Sequence, residues 1–131
     1  MPSKSYPIVG SYYRPPAKTL LSILPIGTPL IVVAEPNNAV DENAVAVWLP
    51  VATMPTSARA NLEIKSDELA LDGFSVDDIF NESHWHLGYI PAQLAALLRA
   101  DGVVPDEGEL LGEFTCAPSG RPMVSFETPI I

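Results

Sequence analysis

The sharpest change of polarity along the chain falls in residues 31–47. Ile31, Val32 and Val33 are β-branched and predict a buried strand. Residues 44–49 resume that character, with Val45 and Val47 alternating against Ala44 and Ala46. Between the two runs sit Glu35, Pro36, Asn37, Asn38, Asp41, Glu42 and Asn43. Pro36 removes a ladder donor and pushes Glu35 towards an extended conformation. Asn and Asp side chains bond to nearby backbone, so Asn37, Asn38, Asp41 and Asn43 can fold the loop on itself. Asn43 is expected to cap it, and Asp41 is divided between capping and recognition. The strand after Glu42 is expected to pair antiparallel with the strand before Glu35.

The same reading applied outwards predicts short elements throughout. Residues 5–13 read as a first strand, with Gly10 at a bulge or close approach, ended by Pro15 and Pro16. Residues 19–24 are apolar and read as a strand or a short helical turn. Residues 25–29 form a turn by composition. Residues 59–71 contain a strand at 61–65 or a short helix at 67–71. Ser75 is a helix N-cap, with Asp77 and Asp78 in the first turn and Ile79 and Phe80 on an apolar face. Residues 86–90 read as a strand. Pro91 opens a helix in which Leu94, Leu97 and Leu98 recur at helical spacing, and Gly102 terminates it. Residues 110–117 and 122–127 are the last strands, joined by a hairpin turn at 118–121.

Composition narrows the class. A chain of 131 residues with 47% hydrophobic content is one domain with one core. Fourteen scattered prolines suit short strands and many turns. Cys116 is alone, which excludes an internal disulfide and a multi-cysteine zinc site and points to a reducing cytoplasm. It is expected to be packed in its strand rather than reactive. The apolar run 20–34 is broken by Pro25, Gly27 and Pro29 and is too short to span a bilayer. It also begins too far in for a usual signal peptide.

A net charge of −9 argues against coating duplex DNA by bulk electrostatics. The charge is uneven, however. Residues 1–34 carry Lys4, Arg14 and Lys18 and no acid, a balance of +3 that leaves −12 for the rest. A local basic face on an acidic body is therefore possible. Residues 63–82 carry seven acids against Lys65. They read as a solvated flap, or as a surface that repels or imitates nucleic acid.

Glu-Pro-Asn-Asn-x-x-Asp-Glu-Asn-Ala-Val-Ala-Val at 35–47 resembles the central signature of the HIRAN domain family. There a strand ends in an acidic-Pro-x-Asn turn, followed by Asp-x-Asn-Ala and a second apolar strand. Val9-Gly10-Ser11-Tyr12-Tyr13 upstream and Leu87-Gly88-Tyr89-Ile90-Pro91 downstream match in the same order. Together the three pieces span most of residues 8–102. The resemblance implies a mainly β fold: a small OB-like or SH3-like barrel of about six strands with one or two short helices. Residues 50–86 have no counterpart in the family pattern and are expected as an acidic insertion outside the barrel. HIRAN domains occur on fork-remodelling ATPases and as free-standing bacterial and phage proteins. The best understood bind single-stranded DNA at its 3′-hydroxyl end.

Residue by residue, the resemblance implies a site. Tyr12 or Tyr13 would stack on a base, each stack being worth roughly 1–3 kcal/mol, and on a strand the two would face opposite ways. Arg14 and Lys18 would meet phosphate. Asn38 and Asp41 would read the terminal hydroxyl, with Tyr89 near the same face. Two departures stand out. Arg14 follows the aromatics where family members place it ahead of them. Val40 stands where the DNA-binding members have an aromatic, so one stacking platform is missing. His84 and His86 would share a face of a strand but lack the partners of a metal site. No spacing suggests a nucleophile elbow, a phosphate loop or a zincin helix. The expected function is thus non-catalytic and cofactor-free, a cytoplasmic binder of single-stranded DNA. The alternative is an acidic protein-binding or DNA-mimicking module. No membrane partner is expected.

Overall fold

The computed structural model describes residues 3–127. Six strands form one antiparallel sheet: β1 (Ser3–Pro7), β2 (Pro29–Ala34), β3 (Val45–Pro50), β4 (His84–Tyr89), β5 (Leu110–Cys116) and β6 (Pro122–Glu127). Their spatial order is β1-β6-β5-β2-β3-β4. The fold is mainly β, with helices inserted between strands.

The polarity pattern sets the centre of the sheet. Leu30 and Val32 of β2 point into the core and are fully buried, while Ile31 and Val33 lie on the other face. β3 pairs antiparallel with β2 through Ala34↔Val45 and Val32↔Val47, as the sequence leads one to expect. On its other side β3 pairs with β4, and the register slips between Val47 and Trp48. That bulge sets Trp48 opposite His86 and leaves Tyr89 opposite Ala46.

Among the described residues the sheet does not close by continuous pairing, and a single isolated bridge joins the chain just after β1 to the far edge strand, β4. Val9 N–H donates to Tyr89 O and Tyr89 N–H donates to Val9 O, each at 2.8 Å. Gly88 makes this approach possible. A Cβ there would lie 2.4 Å from Val9 O, and its φ of 150° is one that side-chain-bearing residues rarely adopt.

The helices are α1 (Ala17–Ile23), α2 (Thr56–Ile64), α3 (Ser66–Leu71), α4 (Val76–Phe80) and α5 (Ala92–Ala100). That is five where one or two were expected. Residues 19–24 belong mostly to α1, not to a strand; Leu20, Leu21 and Ile23 are buried at helical spacing. The proposed strand at 61–65 is instead the end of α2, because Ala58 and Leu62 recur at i, i+4 and bury one helical face. With Leu69 and Ile79 they belong to the same core as Leu30, Val47 and Phe114. The segment between β3 and β4 is thus a packed helical cap rather than a loose flap, and it supplies no strand before His84. Ser75 caps α4 as expected: its Oγ accepts from Asp78 N–H, and Asp78 Oδ2 accepts from Ser75 N–H.

The first strand is shorter than its apolar pattern suggests. It ends at Pro7, and Ser11–Tyr13 form a 3-10 turn after Gly10, which adopts φ 81°. Tyr12 and Tyr13 therefore do not face opposite ways across a strand. Both project into solvent, 73% and 83% exposed. Cys116 is exposed, not packed. It shares the parity of buried Gly112 and Phe114 but ends β5, past the reach of the core. No helix among the described residues is long and apolar enough to cross a membrane.

Candidate nucleic-acid interface

The loop between β2 and β3 is held by its own polar side chains. Glu35 N–H donates to Ala44 O at 2.8 Å and closes the loop's base. Asn38 Oδ1 accepts from the N–H groups of Val40 and Asp41, at 2.9 and 3.0 Å. Asp41 Oδ1 accepts from Asn43 N–H at 2.9 Å. Asn38 and Asp41 are therefore the caps. Asn43, expected to cap, contributes its backbone N–H to the Asx turn that starts at Asp41. Arg99 of α5 ties the loop from behind, donating to Glu42 O at 3.5 Å while paired with Asp106. Val40 stands at the tip, 96% exposed.

Three distant segments meet beside this loop. Arg14 arrives on the turn after β1, Tyr89 at the end of β4, and Glu35 at the end of β2. Arg14 Nη2–H donates to Tyr89 Oη at 3.3 Å, with the guanidinium carbon 4.9 Å from the ring centroid. Tyr89 donates its hydroxyl proton to Glu35 Oε1 at 2.8 Å. Asn38 Nδ2–H donates to that same oxygen at 2.9 Å. Burial pushes the Tyr89 phenol up from its ordinary value, and the Glu35 carboxylate adds to the effect. His86 lies against Tyr89 edge-to-face at 4.9 Å and stacks on Trp48 at 4.6 Å. Burial, then the Arg14 charge, push its pKa down. At neutral pH the cation in this neighbourhood is thus Arg14.

Four of the expected site residues, Arg14, Asn38, Asp41 and Tyr89, line one cleft of about 380 Å³ with Val40 at its rim. Among the described residues Arg14 makes no ion pair, and Asp41 Oδ2 accepts no hydrogen bond. The cleft thus offers a forked donor, lying over the Tyr89 ring, and a free carboxylate oxygen at close quarters. Tyr12 and Lys18 are not part of it. They line a separate groove of about 350 Å³ with Ser22 and Pro122, and Lys18 Nζ sits 5.6 Å from the Tyr12 ring centroid. Tyr13 packs edge-on against Tyr12 at 5.4 Å and lines neither groove.

Sequence reasoning did not place Glu35, His86 or Trp48 at this site. Glu35 had a signal, since it is the acid of the acidic-Pro-x-Asn turn. Trp48 and His86 had none as a pair, because only the register slip between β3 and β4 sets them side by side. His84 meets Ser83 Oγ and His86 Nε2 meets Gly88 O, each at 3.0 Å. Among the described residues no three His, Cys, Asp or Glu side chains gather as metal ligands. Comparison with protein-family models, curated proteins and solved structures finds no match to this chain.

Proposed function

We propose that this chain is a HIRAN-type module that binds single-stranded DNA at its 3′-hydroxyl end without catalysis. The observation that carries the reading is the convergence of Arg14, Asn38, Asp41 and Tyr89 on one cleft. These residues come from three parts of the chain, and each has a task at a strand terminus. Arg14 donates to a phosphate as a fork. Tyr89 holds that guanidinium at the cleft through its hydroxyl and its ring. Asp41 Oδ2 accepts the proton of a terminal hydroxyl, and Asn38 holds Asp41 in place through Oδ1. The Tyr12–Lys18 groove would take the next nucleotide, with stacking and charge side by side. A six-stranded sheet whose two ends meet at the Val9–Tyr89 bridge suits this reading, since the bridge lies at the cleft itself. With one guanidinium in the cleft and a net charge of −9, few phosphate contacts are made. Binding is weak, tens of micromolar or poorer at physiological salt, on the order expected for so few contacts.

The test is a titration with DNA oligonucleotides bearing a 3′-hydroxyl, a 3′-phosphate, or no free end. The hydroxyl-ended strand should bind best, because a 3′-phosphate brings negative charge against Asp41. Equal affinity for all three would remove end recognition.

A second reading is favoured by the helical cap. Asp67, Glu68, Asp72, Asp77, Asp78 and Glu82 are all exposed between β3 and β4, and only Arg59 and Lys65 are there to pair with acids. Such a face suits an acidic protein-binding or DNA-mimicking module. It becomes the better reading if no oligonucleotide binds.

A further inference from the structure

Arg14 and Glu35 carry opposite charges and bond to the same hydroxyl, yet they do not touch. Arg14 donates to Tyr89 Oη, and Tyr89 donates onward to Glu35 Oε1. Elsewhere Arg59, Lys65 and Arg99 each hold a carboxylate directly. Arg14 instead lies over the Tyr89 ring. Glu35 Oε1 is fixed from a second side by Asn38 Nδ2–H. The phenol proton therefore points at Glu35, and an oxygen lone pair is left for the guanidinium. An arginine with nothing between it and a carboxylate is free to pair with it, often as a bidentate fork. A guanidinium so engaged has little left for a ligand.

We infer that Tyr89 is a positioning residue that keeps Arg14 apart from Glu35, so that the guanidinium stays available for one phosphate of the bound strand. The inference rests on the DNA-binding reading above. Removing the hydroxyl does more than delete a hydrogen bond: it lets Arg14 turn onto Glu35. Removing the Glu35 charge as well takes away that trap. The two changes are therefore coupled, with a definite sign.

The experiment compares the wild-type chain with Tyr89→Phe, Glu35→Gln and the double variant. Phenylalanine keeps the ring, and glutamine keeps an acceptor oxygen. Oligothymidylate with a free 3′-hydroxyl is titrated at several salt concentrations. Tyr89→Phe should bind about tenfold more weakly. Its salt slope should be shallower by about 0.7, the worth of one single-strand phosphate contact. The double variant should recover the wild-type slope. A wild-type slope in Tyr89→Phe, or a double variant no better than Tyr89→Phe, overturns the inference. A DNA-free measurement runs alongside, following solvent exchange of the Arg14 Nε–H by nitrogen-15 NMR. Exchange should slow in Tyr89→Phe as the ion pair forms and quicken again in the double variant. If no oligonucleotide binds even the wild type, the DNA reading falls, and the phosphate role with it. Unchanged exchange in Tyr89→Phe, with DNA still bound, sinks the spacer alone.

Discussion

Replacing Gly88 with alanine puts the join between the two ends of the sheet under direct load. The added methyl would meet Val9 O at 2.4 Å, Ile8 Cγ2 at 3.1 Å and Val9 C at 3.3 Å. Two of those atoms are backbone and cannot swing away as a side chain would. The chain after β1 must retreat, and the paired 2.8 Å bonds between Val9 and Tyr89 are lost or stretched. Each such bond contributes about 0.5–1.5 kcal/mol net. Holding a Cβ-bearing residue at φ 150° costs about 1–3 kcal/mol more. The expected loss is about 2–6 kcal/mol, a large part of the roughly 5–15 kcal/mol typical of a domain. Urea unfolding should show a lower midpoint with an unchanged slope, and the thermal midpoint should fall by about 10 °C. The cleft should suffer too, because Tyr89 carries both the bridge and the contacts to Arg14 and Glu35. A Gly88→Ala protein with wild-type unfolding midpoints would refute the close approach and the bridge with it.

Two further outcomes follow from the site. Val40→Tyr should tighten binding to oligothymidylate by about tenfold or more, since a base stack is worth roughly 1–3 kcal/mol. Neutralising Asp77, Asp78 and Glu82 should help less, because exposed charges are screened over about 8 Å; the reverse ranking would favour the protein-binding reading. The second outcome concerns pH. The folded-state pKa of His86 is lowered, by burial first and then by Arg14, so below about 6.5 the unfolded chain takes up a proton that the folded chain refuses. His86 thus contributes stability that is fully present above that pH and is lost as pH falls towards its folded value. Urea midpoints measured from pH 8 to about 5 should decline less in His86→Gln than in the wild type; identical profiles would count against a half-buried, neutral imidazole.

How much of this was legible beforehand depends on how far apart the interacting groups lie. The capping box at Ser75 and the 118–121 hairpin rest on contacts a few residues apart, and the β2–β3 pair on two strands joined by one loop. Alternation and cap chemistry express such contacts directly. Residues 5–13 misled because an apolar run with Gly10 inside it fits a strand as well as a strand followed by a turn. Residues 61–65 misled because five residues cannot separate period 2 from period 3.6; Ala58 and Leu69 are needed to settle it. Cys116 had the right parity and the wrong position, since parity says nothing of where a core ends.

The sequence by itself determined that the loop folds on its own Asn and Asp side chains, because Asn38 and Asp41 bond within three residues of themselves, although it pointed to Asn43 as the cap. It also determined that the body is acidic and that the early segment is not. Only the tertiary structure decided what the loop faces. Arg14 and Tyr89 are 75 residues apart, and Tyr89 and Glu35 are 54 apart. Their meeting depends on the β3–β4 register, the bulge after Val47 and the room left by Gly88. Those are long-range packing choices, and no local pattern of hydrophobic and polar residues encodes them.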